Sequence, residues 1–431
     1  MITQRRDFLK QAGKLSATVL ASQLFSTIYT EKVQGAVAKI AHLSPEQAAT
    51  DDDFWFEIRQ GYTITPNIIN LNNGGVSPQP KFVQEAFVRY NQISNELPAH
   101  FMWNVLGPGR ETVREKLAGV AGTSIDEIAI CRNATEALET AIFGIDLKAG
   151  DEIITTTQDY PNMMNALHQR EKREGIKITT VQIPVPCNDL NEITEIFRKA
   201  ISPKTKVILC CHMINLTGQI LPIRQICDLA HEKGIQVICD GAHTFAHFEY
   251  KIPDLHCDYF GTSLHKWLSA PFGSGMLFVK KEKIKTLWPL FGHPDPFVED
   301  IRKFETQGTR SFPTELAIGQ AVDFYNGIGA KRKEARMRFL KNYWAEKLQQ
   351  LPKVKLNTSL KPECSCGLAN FIVEGKTPQE IHAYLFEKHR IYTTPIDHAE
   401  FKGVRITPNV YTTTKELDVF VSAVGEMCKA G

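Results

Sequence analysis

The side chains of this sequence with the greatest chemical potential lie at the ends of strand-like segments. Asn215 ends the apolar run VILCCHMIN, Asp240 ends IQVICD, and Lys266 follows DYFGTSLH. A carboxylate or an ammonium group is costly to bury in apolar surroundings unless it has a partner. One such residue could belong to a structural ion pair, but several at matching strand ends indicate a polar ligand site.

A phosphate-binding turn is predicted in the segment CRNATEAL. Asn133 can cap the helix that begins there, and Glu136 completes a capping-box pattern. The N–H groups of Ala134 and Thr135, together with the Thr135 hydroxyl, would then point out of the positive end of the helix. An ordinary capped helix is the alternative interpretation of this segment.

An aromatic side chain, Tyr160, occupies the strand end in QDYPN. Ligands of α/β folds bind at the carboxyl ends of the strands, and an aromatic ring there can stack on a planar group. A tyrosine of the core or of the rim is the alternative.

Helices and strands alternate from about residue 81, and this alternation must position those side chains. It predicts a parallel or mixed sheet covered by helices on both faces. A long helix near 330–350 separates this region from a smaller α+β unit. The strand-like segments are EIAICRN, EIITTTQD, IKITTVQIPV, TKVILCCHMIN, IQVICD, DYFGTSL and SGMLFVKK.

The pair of motifs D-x-A-H and S-x-H-K-W, at Asp240–His243 and Ser263–Trp267, resembles fold-type I pyridoxal-phosphate (PLP) enzymes of the class V aminotransferase superfamily. The resemblance covers roughly residues 65–428. It is closest to the isopenicillin N epimerase-like branch, which is related to the cysteine desulfurases and selenocysteine lyases. It implies a mainly parallel seven-stranded sheet in a large domain and a smaller C-terminal α+β domain.

The resemblance also implies a catalytic set of Lys266, Asp240 and His243. Lys266 would form the internal aldimine and then shuttle the Cα proton. Asp240 would hold the pyridine nitrogen protonated, so that the ring acts as an electron sink. His243 would pack and hydrogen-bond beside Asp240 and the ring.

Further residues match cofactor and substrate positions of that family. Arg405 corresponds to the arginine that grips the substrate α-carboxylate. Thr309 corresponds to a residue that reaches a phosphate across a dimer interface, so a homodimer is implied. The remaining cofactor contacts would be Ala134, Thr135, Ser263 and His265 at the phosphate, Asn215 at the 3-oxygen, and Tyr160 where many relatives stack a histidine on the ring.

The resemblance leaves the reaction open. Cysteine desulfurases carry a cysteine on the loop before the carboxylate arginine, and the corresponding segment IYTTPIDHAEFKGVRI has none. We therefore expect an enzyme acting on an α-amino acid or aminoacyl compound through Cα deprotonation, of the epimerase, racemase or β-elimination (C–S lyase) type. A class V aminotransferase is the alternative, and a cysteine desulfurase or an inactive PLP-binding protein ranks below it.

The N-terminal residues resemble a twin-arginine export signal. Arg5-Arg6 precedes Phe8-Leu9-Lys10, a modest apolar stretch and a small-x-small site at Ala36–Ala38. We expect a periplasmic or otherwise exported protein, with a signal peptide at 1–38, an N-terminal segment at 39–80, a large PLP-binding domain at 81–325 and a small domain at 326–431. The apolar stretch is too short for a membrane anchor.

The overall charge excludes one class of partner. The formal net charge is +2, so no polybasic surface indicates binding to nucleic acid. The expected partners are a small amino-acid substrate and a second copy of the chain, with no membrane span after removal of the signal and no metal. Ten cysteines without zinc-ligand spacing indicate folding in a reducing compartment, which is compatible with export of a folded protein.

Overall fold

The computed structural model describes residues 35–429. Residues 1–34, which carry most of the predicted export signal, lie outside the described residues. Within the described range, no helix combines the length and the apolar character needed to cross a membrane.

The strands belong to a large sheet, a small sheet and a short two-stranded pair. They are β1 (Ile69–Asn70), β2 (Ile128–Cys131), β3 (Glu152–Thr156), β4 (Lys177–Val181), β5 (Thr205–Cys211), β6 (Gln236–Asp240), β7 (Tyr259–Ser263), β8 (Gly275–Val279), β9 (Val354–Leu356), β10 (Ala369–Val373), β11 (Ile391–Tyr392), β12 (Thr394–Asp397) and β13 (Lys402–Ile406).

Helices precede, separate and follow these strands. They are α1 (Pro45–Ala49), α2 (Asp52–Gln60), α3 (Lys81–Glu96), α4 (Pro98–His100), α5 (Gly109–Ala121), α6 (Ala134–Gly144), α7 (Pro161–Glu174), α8 (Leu190–Ala200), α9 (Ile223–His231), α10 (Ile252–Leu255), α11 (Lys281–Ile284), α12 (Phe312–Ile328), α13 (Ala330–Gln349), α14 (Pro378–His389) and α15 (Thr414–Lys429). A π-helix covers Phe101–Leu106, and 3₁₀ helices cover Ile125–Glu127 and Ile301–Glu305.

The large sheet has seven strands in the order β2-β8-β7-β6-β5-β3-β4. Neighbours from β7 through β4 are parallel, whereas β8 runs antiparallel to both β7 and β2. The mainly parallel seven-stranded sheet expected from the sequence is therefore confirmed. Its central strands are apolar and buried, as strands covered on both faces must be.

One edge of this sheet collects the ends of its parallel strands. Because β3, β5, β6 and β7 run in the same direction, the residues that follow them meet there. The chain leaves these strands at Thr156, Cys211, Asp240 and Ser263. The candidate strand-end residues of the sequence are thus gathered by topology alone.

The small sheet brings another element to that edge. It is antiparallel, with the order β12-β13-β10-β9, and Arg405 lies on its strand β13. The N-terminal segment joins this unit through the parallel pairing of β1 with β11 and a bridge from Asn72 to Thr407. The boundaries predicted for the two domains stay a prediction, since contacts of this kind cross them.

A buried ion-pair network fixes the start of the strand that leads to the predicted phosphate turn. Glu305 accepts hydrogen bonds from Arg114 (2.6 Å), Arg110 (2.7 Å) and the backbone N–H of Ile130 in β2 (2.6 Å). Burial alone would raise the pKa of Glu305, but Arg114 and Arg110 outweigh it and lower that pKa. The carboxylate therefore stays charged and ties the segment before Thr309 to β2.

Replacing Glu305 by Gln should destabilise the fold by about 3–5 kcal/mol, because the fully buried Arg114 would lose its nearest carboxylate and keep only the more exposed Glu111. The free energy of unfolding from urea denaturation would measure this. Glu195→Gln, which removes an exposed partner of Arg198, serves as the control and should cost less than about 1 kcal/mol. Equal effects in the two variants would contradict this account of the network.

Candidate active site

A lysine and a histidine face each other at the carboxyl edge of the large sheet. Lys266 Nζ lies 3.0 Å from His243 Nε2. Lys266 follows β7 by three residues, and His243 follows β6 by three residues. Burial lowers the pKa of Lys266 to about 8, an effect that nearby Arg405 strengthens and Asp240 opposes. Burial and Lys266 together lower the pKa of His243, so its imidazole is neutral and its Nε2 can accept a hydrogen bond from the amine.

Asp240 is buried beside this pair at the end of β6. One of its oxygens accepts a hydrogen bond of 2.8 Å from the backbone N–H of Ala242. Burial raises the pKa of Asp240, while the Ala242 N–H and the charge of Lys266 act in the opposite direction. A carboxylate with so few partners is suited to receive a cationic group from a ligand.

The helix cap predicted at the start of α6 is formed, with one difference from the sequence interpretation, and phosphate binding there stays a prediction. Asn133 caps α6 by accepting from the N–H of Glu136 (2.9 Å), and the N–H of Ala134 donates to the hydroxyl of Ser263 (2.9 Å). The Glu136 carboxylate binds the N–H of Arg132 at 2.8 Å. It does not return to Asn133 to complete a capping box, because the turn before the helix presents the Arg132 N–H to it.

The other predicted phosphate contacts lie around this turn. Thr135 is half-buried at the start of α6, and His265 is half-buried, with its Nδ1 3.2 Å from the carbonyl oxygen of Ser274. Gly275 starts β8 directly against the turn, where a Cβ would lie 2.6 Å from the backbone of Asn133. A side chain at position 275 would therefore displace the predicted cradle.

Arg405 is a buried cation whose hydrogen-bond partners, among the described residues, are all neutral. Its guanidinium donates to the carbonyl oxygen of Asn215 (2.9 Å), to the Asn72 side chain (3.0 Å) and to the Thr394 hydroxyl (3.5 Å). Burial lowers the pKa of Arg405 to about 10. A guanidinium held in this way can bind an incoming carboxylate in bidentate geometry.

Tyr160 lies on the segment between β3 and α7, and its stacking on a cofactor ring stays a prediction. It is the residue before α7 and is 40% exposed, close enough to Arg405 to favour the charge of the guanidinium. Its neighbour Asp159 is buried and lies beside Asp240. Asp159 was not among the residues predicted from the sequence. An acidic residue at the end of a strand-like segment, the feature that indicated Asp240, could have identified it.

Thr309 lies on the segment after the 3₁₀ helix Ile301–Glu305 and is exposed. The expected contact of Thr309 with a neighbouring subunit requires that this residue be exposed. That contact, and the dimer it implies, stay a prediction.

A second group of side chains, which was not predicted from the sequence, packs against the residues that position Lys266. The His247 ring stacks on Trp267 at 3.9 Å and 17°, its Nδ1 lies 2.7 Å from the carbonyl oxygen of His243, and its Nε2 accepts from the N–H of Gly367 at 2.9 Å. Lys333 donates to the carbonyl oxygen of Trp267. His247 thus supports both residues of the Lys266–His243 pair.

Several buried polar atoms in this site have no hydrogen-bond partner among the described residues. They are Asn215 Oδ1, His243 Nδ1 and Arg405 Nε. Buried polar atoms normally have partners, so these atoms indicate a polar ligand. PLP fits the set, since Asp240 suits its ring nitrogen, Asn215 its 3-oxygen, Lys266 its aldehyde and the α6 turn its phosphate.

Comparisons with known proteins agree with this geometry. The model of the aminotransferase class-V family matches residues 69–418. Isopenicillin N epimerase of Streptomyces clavuligerus is 28% identical over 387 residues, covering 86% of this chain and 97% of that protein. A probable cysteine desulfurase of Synechocystis sp. is 28% identical over 403 residues, covering 85% of this chain and 94% of that protein.

A solved structure shares the fold. The cystine C–S lyase C-DES, in complex with its reaction product cysteine persulfide, superposes with a TM-score of 0.77 at 21% identity. The match covers 84% of this chain and 98% of that one. C-DES has also been solved with glycine covalently linked to its PLP cofactor. From the extent of the family match and the arrangement of Lys266, Asp240 and Arg405, we conclude that the chain belongs to the class-V aminotransferase family of PLP enzymes.

Proposed function

We propose that the protein deprotonates the Cα atom of an α-amino acid or aminoacyl compound and then catalyses epimerisation, racemisation or β-elimination of the C–S lyase type. The observation that carries the proposal is the amine of half-buried Lys266, 3.0 Å from His243, in the same site as Asp240 and Arg405. Such a group can take a proton from Cα and return it.

Each residue of the site has a role in this proposal. PLP, when bound, acts as an electron sink for negative charge at Cα. Asp240 holds the proton of the ring nitrogen, Lys266 attaches the cofactor and moves the Cα proton, and Arg405 binds the substrate carboxylate. His243 orients the Lys266 amine through their hydrogen bond.

The cysteines argue against a persulfide mechanism. All ten are buried, and none lies on the β12–β13 connection, where the resemblance places the desulfurase cysteine. That connection instead carries Glu400, which accepts a hydrogen bond of 2.7 Å from the buried Gln158. Burial raises the pKa of Cys366 to about 12, so its thiolate, the reactive form, is scarce at neutral pH.

Two outcomes lead after Cα deprotonation. Reprotonation gives an epimerase, and the likeness to isopenicillin N epimerase over nearly its whole length supports that choice. Loss of a β-substituent gives a lyase, and the hercynylcysteine sulfoxide lyase of Schizosaccharomyces pombe is 22% identical over 397 residues. A class V aminotransferase remains the alternative, since it shares the same first step.

The assembly and the location belong to the same proposal. A homodimer, in which exposed Thr309 serves the phosphate of the neighbour, follows from the resemblance. Export by the twin-arginine route, to the periplasm or otherwise outside the cytoplasm, follows from residues 1–38 alone.

Lys266→Ala should remove covalent attachment of PLP and the yellow absorption band of the purified protein, while the fold is retained. Borohydride reduction followed by mass spectrometry of the Lys266 peptide would measure attachment. Lys285→Ala, at an exposed lysine, is the control and should behave as wild type. Turnover by Lys266→Ala at the wild-type rate would refute the mechanism.

The products formed from amino acids would identify which of the proposed reactions occurs. Wild type would be incubated in deuterated water with a panel of L- and D-amino acids, some with β-sulfur leaving groups. Deuterium at Cα of both enantiomers indicates epimerisation, an oxo acid with ammonia indicates elimination, and an oxo acid with the aminated cofactor indicates transamination. No exchange with any member of the panel would contradict the proposal for amino acids.

Arg405→Gln should weaken substrate binding by about 2–5 kcal/mol, because the substrate carboxylate would lose its buried charged partner. The dissociation constant can be followed by the change of cofactor absorbance on substrate addition. The matching α-amino amide, which lacks the carboxylate, should bind wild type and Arg405→Gln about equally. An equal loss for acid and amide would assign Arg405 a structural role only.

The rate of PLP attachment to the cofactor-free protein should rise with pH and level off above pH 8. Burial lowers the pKa of Lys266 to about 8, and only the neutral amine attacks the aldehyde. The initial rate of borohydride-trapped incorporation between about pH 6 and 10 would measure this, since an ordinary lysine titrates near 10.4. A rate that continues to rise to pH 10 would be evidence against the buried neutral amine.

A further inference from the structure

Two carboxyl groups and a thiol meet beneath the candidate ring-binding site. Oxygen atoms of Asp159 and Asp240 and the sulfur of Cys211 all lie within 4.8 Å of one another. The strand order explains why these groups are close, because β5 lies between β3 and β6. Asp159 follows β3, Cys211 ends β5, and Asp240 ends β6.

The environment of the pair disfavours two full negative charges at the same time. Asp159 is 5% exposed and Asp240 is 6% exposed. Asp159 accepts hydrogen bonds from the Thr155 hydroxyl (3.1 Å) and the Tyr160 N–H (2.8 Å), whereas Asp240 accepts from the Ala242 N–H (2.8 Å). Two carboxyls this close and this buried do not ionise at the same pH, since one ionised group opposes ionisation of the other.

The surrounding titratable groups indicate which member keeps the proton. Lys266 acts on Asp240 and favours its ionised form. Cys211, on β5, lies against both carboxyls, and burial raises the pKa values of Cys211 and of its strand neighbour Cys210, so that both thiols are neutral. Burial, and then the charge of Asp240, raise the pKa of Asp159 to about 7.

We propose that Asp159 is a positioning residue that holds the single proton of the Asp159–Asp240 pair, so that Asp240 alone is ionised and available to the ring nitrogen of the cofactor. The identity of that cofactor rests on the proposed function. When pH rises through about 7, Asp159 also loses its proton, and the site gains a second negative charge beside the ring nitrogen. Cofactor affinity therefore depends on pH through a residue that does not itself contact the substrate.

The proton can be observed directly in the cofactor-free protein. Infrared spectra with ¹³C-labelled aspartate distinguish a protonated carboxyl from the ionised exposed aspartates, which titrate near 3.9. At about pH 6, wild type and the control Asp126→Asn should show a carboxylic-acid band that Asp159→Asn lacks, and the band should vanish as pH rises through about 7. Absence of the band from wild type at about pH 6, which requires no variant to fold, would overturn the proposal.

Stability offers an independent readout of the same proton. A folded-state pKa of about 7 against about 3.9 in the unfolded chain means that the folded state binds more protons between these values. Wild-type stability should therefore fall from about pH 4 to 7 more steeply than that of Asp159→Asn, with Asp126→Asn following wild type. Parallel curves for wild type and Asp159→Asn would overturn the proposal.

Cofactor affinity separates this inference from the proposed function. Between about pH 6 and pH 8, the PLP dissociation constant should change several-fold more for wild type than for Asp159→Asn. About a tenfold difference is expected for each unit by which the cofactor shifts the pKa of Asp159. Equal ratios would overturn the positioning role. If wild type binds no PLP while the infrared band is present, the shared proton stands and the proposed function fails.

Discussion

The site depends on the free-energy cost of burying charge. Lys266, Asp240 and Arg405 are held where water is largely excluded, yet the protein supplies them mainly with neutral partners and backbone groups. Each charge is therefore poorly compensated by the protein itself. The same cost lowers the pKa of the lysine and raises that of the aspartate. It also makes the site receptive to a cofactor with a cationic ring nitrogen and an aldehyde, and to the carboxylate of a substrate.

The surrounding structure must be rigid to sustain such a site. His247, stacked on Trp267 and bonded to His243 and Gly367, joins the turns after β6 and β7 to the segment before β10. Gly367 allows this approach, since a Cβ there would lie 2.7 Å from the ring of His247. The small sheet therefore contributes Arg405 to the site and also contacts the layer that supports the lysine.

After β3, this chain carries Asp159 and Tyr160 where many relatives stack a histidine on the ring, and the balance of charge in the site is kept. The exposed Tyr160 lies near Arg405, and the buried Asp159 lies near Asp240. A second carboxyl beside the ring-nitrogen acid would be repulsive if it were ionised. A shared proton removes that repulsion and makes the pair sensitive to pH in the neutral range.

Much of this arrangement was readable from the chain alone. The periods of apolar residues are local, so they predicted the strands and helices, and parallel strands necessarily bring Asn215, Asp240 and Lys266 to one edge. The motifs around Asp240 and Lys266 were specific enough to indicate the family, and residues 81–325 produced the expected sheet.

Only the tertiary structure decided which side chains turn inward at that edge. It buried Asp159 rather than Tyr160, directed Glu136 to Arg132, and converted His247 from an unassigned histidine into a support for Lys266. These outcomes depend on contacts between residues that are distant in sequence and on the path of each turn. A sequence determines which groups are present and at which strand ends they lie, whereas packing determines which of them share a low-dielectric space and therefore interact.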